Sequence, residues 1–317
     1  MINRNMVRTK VVQTLYAYYK DGEKTPLKAR HELLKSYSDT YSLYAMLLDF
    51  VNELTRYARE QNEEAAARAK VTHSTFRPNT RFQENKFAAQ MFENKALRHI
   101  MENEHLEWDA GLSAVAGIYK QMLDSAFYKD YLALKECTYE DDKKVWRRIY
   151  TELMSESETM QSALDELELV LDRQNWTTDA DLVISYIIKT IKRFQPENGA
   201  DQELLPMFEK EDELDFGTEL LHQAISHKDE YEKMVFSHLK NWDPDRVAFM
   251  DKIILQAALA EIISFPNIAL EVSINEYLEI AKEYSGDKSH LFINGILDEI
   301  LREMKRNDAL PKAMIIK

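Results

Sequence analysis

Apolar side chains recur along this chain every three or four residues, the spacing of one face of an α-helix. From Asn5 to Lys20 the residues Val7, Val11, Leu15 and Tyr18 form one such stripe, and Asp21-Gly22 is expected to end the helix. Thr25-Pro26 reads as an N-cap followed by proline at the first helical position. A second helix is expected to about Ser36. A third is expected from Ser38 or Asp39 past Tyr57, burying Tyr41, Leu43, Tyr44, Leu47, Leu48, Val51 and Leu54. Helical stripes resume between about Glu107 and Phe194, in "LSAVAGIYKQMLDSAFYKDYLAL", "KKVWRRIYTELM" and "ADLVISYIIKTIKRF". "QPENGADQELLPMFEKEDELD" is acidic, is interrupted by Pro196, Gly199 and Pro206, and reads as a linker. One or two helices then lead to Trp242. Asp243-Pro244 reads as a cap, and the next helix is expected from about Pro244 or Val247 to Ser264. After Pro266, Ser273 and Glu276 have the spacing of a capping box. Gly286 is expected to end that helix in a left-handed conformation. A last helix is expected from Asp287 or Ser289, packing Phe292, Ile293, Ile296, Leu297, Ile300 and Leu301.

Composition agrees with an all-α fold. The 317 residues hold only 7 glycines and 7 prolines, so helix breakers are scarce. At 45% hydrophobic and 30% charged, the chain can form a sizeable core with a solvated surface. Cys137 is the single cysteine, which excludes an internal disulfide and a cysteine-based zinc site. No apolar run has the length of a membrane span, and the first residues lack the apolar stretch of a signal peptide. A cytoplasmic location without membrane contact is the expectation.

The formal net charge of −14 argues against a generic nucleic-acid binder, which is usually basic. RNA binding by such a chain requires a local basic patch or a basic partner. One patch lies between Arg68 and Arg98, where seven Lys or Arg face two acids. There Arg77, Arg81 and Lys86 alternate with Phe76, Phe82 and Phe87, as in a groove for single-stranded RNA. The competing reading, that the phenylalanines are core and the cations a solvated face, is preferred, because aromatic stripes near helical spacing usually pack.

Catalytic and metal motifs are missing. There is no GxGxxG, no phosphate-cradling loop and no HExxH. His222 and His227 are five apart and do not share a helical face. The paired acids Asp179/Asp181 and Asp243/Asp245 stand near helix starts, where capping explains them. No enzyme, cofactor or metal is expected.

"SGDKSHLFINGIL" is different. A helix starting just after Gly286 directs free N–H groups and a positive dipole end outward, a ready phosphate site. Lys288 adds a cation, Ser289 a hydroxyl and His290 a second donor. Phe292 can join the core or offer a face for a base. Asp287 or Ser289 can equally be only a cap, and Gly295 only a point of close helix approach.

The whole run "VSINEYLEIAKEYSGDKSHLFINGILDEI" resembles the C-terminal signature of the NusB family of bacterial transcription antitermination factors. "HLKNWDPDRVAFMDKIILQAALAEI" is similar to that family's preceding helix. "RNMVRTKVVQTLYAYYKDG" resembles its first helix, with the R-x-x-A-V-Q-x-L-Y pattern. The resemblance implies an all-helical bundle of two subdomains, here with an additional helical insertion. It implies NusB-like helices in 1–58 and 213–317 and an insertion in 59–212.

It further implies a non-enzymatic protein that binds boxA-type RNA of ribosomal RNA transcripts. The implied partners are a NusE-type small-subunit ribosomal protein and the RNA polymerase antitermination complex. Carried over residue by residue, the RNA face is Arg4, Arg8, Gln13 and Tyr16 on the first helix, with Lys288, Ser289 and Phe292 in the signature. Arg77, Arg81 and Lys86 are a possible secondary RNA surface. This chain departs from the family's pattern in a sparse N-terminal arm, "INRNMVR", in Lys288 where an acid is common, and in Gln256 where Arg is usual. A helical interaction scaffold that has kept the fold without direct RNA recognition is the alternative. A detached accessory of an RNA methyltransferase is a third, since the chain lacks that enzyme's glycine-rich domain.

Overall fold

A computed structural model describes residues 1–22, 25–75, 77–239 and 247–310. In chain order the helices are α1 (Arg4–Asp21), α2 (Pro26–Val71), α3 (Lys86–Glu93), α4 (Lys95–Asn103), α5 (Leu112–Asp124), α6 (Ala126–Ala133) and α7 (Tyr139–Ile149). They continue with α8 (Glu158–Val170), α9 (Trp176–Arg193), α10 (Glu213–Ser226), α11 (Lys228–Ser237), α12 (Phe249–Ser264), α13 (Leu270–Tyr284) and α14 (Ser289–Arg306). Among the described residues there is no strand, only an isolated bridge between Ile2 and Phe208. The fold is all-α, as the pattern predicts.

The chain forms two compact units, one of 1–37 with 208–317 and one of 38–207. The expected boundaries, at 58/59 and 212/213, differ from these: the first division falls inside α2, which is one helix of 46 residues without the expected break near Ser36. The Ser36 hydroxyl bonds back to the Leu33 carbonyl at 2.7 Å, inside the helix, so it caps nothing. Asp39 is fully buried and pairs with Arg173 at 3.3 Å.

The first unit is built around α12. That helix is buried almost all round, from Ile253 to Ile262, as a helix apolar on every face must be. α1, α10, α11, α13 and α14 all pack on it. Val7, Val11 and Leu15 of α1 lie in this core, with Phe216, Leu220, Tyr277, Ile293, Leu297 and Ile300. Gly22 closes α1 at a positive φ of 64°, and Thr25 Oγ1 accepts from the Lys28 N–H at 3.2 Å, both as expected. Two expected local devices are absent. Ser273 lies inside α13, whose N-cap is Ala269, so no capping box forms with Glu276. Gly286 is not left-handed: α13 ends at Tyr284 with extended Ser285 as its C-cap. The expected cap at Asp243-Pro244 lies outside the described residues.

The second unit closes on its own core of Phe82, Phe87, Trp146, Tyr150 and Trp176. Several of its buried polar groups are paired, while the Trp108 and Trp146 indole nitrogens are not. Trp176 Nε1 donates to the Asp39 carbonyl at 2.7 Å, and Thr40 Oγ1 to Asp179 Oδ2 at 2.7 Å. Buried Lys143 donates to the Phe194 carbonyl at 2.9 Å and the Lys192 carbonyl at 3.3 Å, at the negative end of α9.

Candidate nucleic-acid interface

The turn before α14 is held from below by one carboxylate. Asp251, in the first turn of α12, accepts the Ser285 hydroxyl at 2.5 Å on Oδ1 and the Ser289 hydroxyl at 3.1 Å on Oδ2. The Ser289 N–H donates to the Gly286 carbonyl at 2.8 Å, and the Phe292 N–H to the Lys288 carbonyl at 3.2 Å. Two serines are thereby pulled inward while Gly286, Asp287 and Lys288 are presented to solvent. Lys288 makes no ion pair among the described residues. Phe292 is half-buried, and Leu291 beside it is 64% exposed. His290 is half-buried, with a buried Nδ1 that has no hydrogen-bond partner. Ser289 therefore differs from its sequence-based role: it is buried and its hydroxyl is spent on Asp251, so it shapes the turn.

On α1 the expected residues divide. Tyr16 is half-buried and meets Phe249, the first residue of α12, edge-on at 5.2 Å. The Lys20 ammonium lies 5.7 Å from the Tyr16 ring centre and 5.6 Å from that of Phe249. Gln13 is half-buried, with Oε1 enclosed and unpartnered. Arg4 pairs with Asp212 at 2.5 Å and lies over the Phe216 ring at 4.8 Å.

Arg8 lies inside the protein and not on the expected RNA face. It is 3% exposed, and its guanidinium forms a two-pronged pair with the fully buried Glu261, Nε to Oε2 at 2.7 Å and Nη2 to Oε1 at 2.8 Å. Ser273 Oγ donates to Glu261 Oε1 at 2.6 Å and the Tyr277 hydroxyl to Oε2 at 3.1 Å. Burial works against the Arg8 charge, but the bonds to Glu261 outweigh it and its pKa is raised. Such a guanidinium is an internal fastener between α1, α12 and α13, not a phosphate ligand.

The first turn of α12 thus joins two regions far apart in sequence. Phe249 touches Tyr16, and Asp251 holds the Lys288 turn. Arg4 and Arg8 are not brought to that place. Arg8 meets α12 at Glu261, ten residues beyond Asp251, which is roughly 15 Å along a helix. Sequence reasoning missed Phe249, Asp251 and Ser285. An acid in the first turn of a helix signals only dipole or capping use, so the role of Asp251 becomes visible only with its two serine partners.

The secondary set lies in the other unit and forms no alternation of rings and cations. Phe82 packs at 5.1 Å from Trp146, and Phe87 at 5.3 Å from Phe194; both are core. Phe76 lies outside the described residues. Arg81 donates to the Tyr131 carbonyl at 2.9 Å, while Arg77 and Lys86 are exposed. Among the described residues there is no cluster of potential metal ligands, and no helix is long and apolar enough to cross a membrane.

Comparison with known proteins adds a relationship. The model of the NusB family matches residues 185–302, a stretch that contains α12, the turn and most of α14. The chain is 36% identical over 92 residues to the transcription antitermination protein NusB of Bacillus subtilis, covering 29% of this chain and 70% of that protein. It is 39% identical over 95 residues to the NusB of Koribacter versatilis, covering 30% of this chain and 65% of that protein. It is 37% identical over 99 residues to that of Chloroherpeton thalassium, covering 31% and 47%. The chain thus spans less than two thirds of the length of these last two relatives. No solved structure matches it.

Proposed function

The chain belongs to the NusB family, and from that premise we propose that it is a transcription antitermination factor acting by binding, without catalysis. Its RNA target in this reading is the boxA-type element of ribosomal RNA transcripts. It engages that element together with a NusE-type small-subunit ribosomal protein, within the RNA polymerase antitermination complex.

The observation that carries the reading is the junction at the start of α12. There Tyr16, Phe249 and the presented Asp287-Lys288 turn are held together in one unit. Lys288 and the N-terminus of α14 supply the phosphate contact. Tyr16 and Phe292 supply faces for unpaired bases, and the Gln13 amide supplies a base-edge contact. Arg4 acts at the far end of α1, and Arg8 and Ser289 position the elements. The stretch 59–212 is in this reading a helical insertion, and its exposed cations Arg77 and Lys86 belong to a separate, secondary RNA surface.

A second reading, a scaffold that leaves RNA to its partner, draws support from the same geometry. Arg4, Arg8 and Ser289 are engaged internally, which leaves Lys288 as the exposed, unpaired cation of the set among the described residues. Titration of boxA-type RNA across a salt series, with and without the NusE-type protein, separates the two. The antitermination reading expects sequence-selective binding that is stronger with the partner and weakened at least fivefold by Lys288→Ala. A partner complex that forms but is indifferent to RNA sequence and to Lys288→Ala establishes the scaffold.

A further inference from the structure

Beside the Tyr16–Phe249 contact lies a cleft of about 280 Å³ between the end of α1, α11 and the start of α12. Tyr19, Tyr231, Phe236 and Phe249 supply its rings, and Lys228 and Lys252 its cations. Each ammonium lies near a ring rather than stretched into water. Lys228 is 5.4 Å from the centre of Tyr19, and Lys252 is 5.8 Å from that of Phe236. Lys20 reaches the same rim over Phe249.

The charge here runs against the chain. In a protein of net charge −14, Lys20 and Lys252 have no carboxylate partner among the described residues. Lys228 pairs at a loose 3.8 Å with Glu232, whose carboxylate also lines the cleft, and Asp229 lies near Tyr19. Gln256 makes part of the floor, its amide nitrogen 2.7 Å from both the Tyr19 hydroxyl and the Ala224 carbonyl. Tyr19 is thereby fixed in place. Phe249, 38% exposed, opens onto the cleft and also touches Tyr16. Rings beside the unpaired Lys20 and Lys252 and the loosely paired Lys228 suit a ligand that is flat and aromatic at one end and anionic at the other.

We infer that this cleft is a nucleotide subsite, taking one base of single-stranded RNA against Phe249 and its phosphate at Lys228 and Lys252. The inference rests on the RNA reading above and extends it: the strand passes from the Lys288 turn over Tyr16 and Phe249 into the cleft. A free mononucleotide has the same chemistry and is the other possible source.

The test measures binding of a labelled single-stranded RNA, and of UMP and AMP, to the full chain. The variants are Lys228→Ala/Lys252→Ala, Lys288→Ala and the conservative Lys228→Arg/Lys252→Arg, with circular dichroism to verify folding. The double alanine variant is expected to weaken RNA binding at least fivefold and to lower the salt slope by about 0.7 for each phosphate that is no longer neutralised. The arginine variant is expected to restore both. Unchanged affinity and slope in the double alanine variant, with weakened binding in Lys288→Ala, overturns the cleft and leaves the turn. Weakened binding in the double variant alone keeps the cleft and overturns the turn. Mononucleotide binding that competes with RNA and disappears in the double variant identifies a free nucleotide as the occupant. Failure of the wild-type chain to bind any of these ligands overturns both.

Discussion

At the scale of single residues, the arginine that the first helix carries toward the surface in sequence is the one most deeply committed inside. Arg8 neutralises Glu261, and removing it leaves a fully buried carboxylate with only the Ser273 and Tyr277 hydroxyls. Breaking one half of a buried pair costs about 3 to 5 kcal/mol. Arg8→Ala is therefore expected to lower the urea midpoint strongly, and loss of RNA binding in that variant reports on folding. Asp49 carries a pH dependence. Burial, opposed by the 2.7 Å bond from Asn52, pushes its carboxyl up to about 6. The unfolded chain ionises near 4, so between about pH 4 and pH 6 the folded state holds the extra proton, and stability falls as pH rises. Above 6 the full penalty, on the order of 2 to 3 kcal/mol, is in place. Asp49→Asn is expected to be more stable than the wild type at pH 7.5, and thermal melts should show the gap closing by pH 4.

At the scale of elements, two glycines inside helices behave in opposite ways. Gly217 of α10 lies against Val7 of α1 and Tyr37 of α2. A Cβ there would lie 2.8 Å from Val7 Cγ1 and collide with the buried Tyr37 hydroxyl. Overpacking of this kind costs about 1 to 3 kcal/mol, so Gly217→Ala is expected to lower the melting temperature. Gly295 of α14, the glycine of the F-x-N-G run, faces open space, with nothing within 4 Å of an added Cβ. Close helix packing is not its reason. Gly295→Ala is expected to raise stability by about 0.5 to 1 kcal/mol, through helix propensity alone. The two melts, run side by side, check the assignment. Elements were also where sequence reasoning read best. The ends of α1 and α14 follow from Gly22 and from the run at 286–289. The continuity of α2 did not follow, because Ser36, Ser38 and Asp39 look like caps in sequence, while in the fold Ser36 bonds backwards and Asp39 faces Arg173.

At the scale of the whole molecule, the chain folds as two units, each with its own core, and the family match falls mainly on one of them. Helical periodicity, scarce breakers and the C-terminal signature were enough to determine an all-α protein of NusB kinship, because both depend on local spacing that survives insertion. The same spacing determined that Lys288 sits at a helix start, since caps and turns are written in a few adjacent residues. Burial was decided by tertiary structure alone. Arg8 went inward because Glu261 lies across from it, 253 residues away. Ser289 went inward because Asp251 waits beneath. Phe82 and Phe87 became core because Trp146 and Phe194 pack on them. The physical reason is the same in each case. Whether a polar or aromatic side chain meets water or a partner depends on what another helix brings opposite it, and no local pattern carries that information.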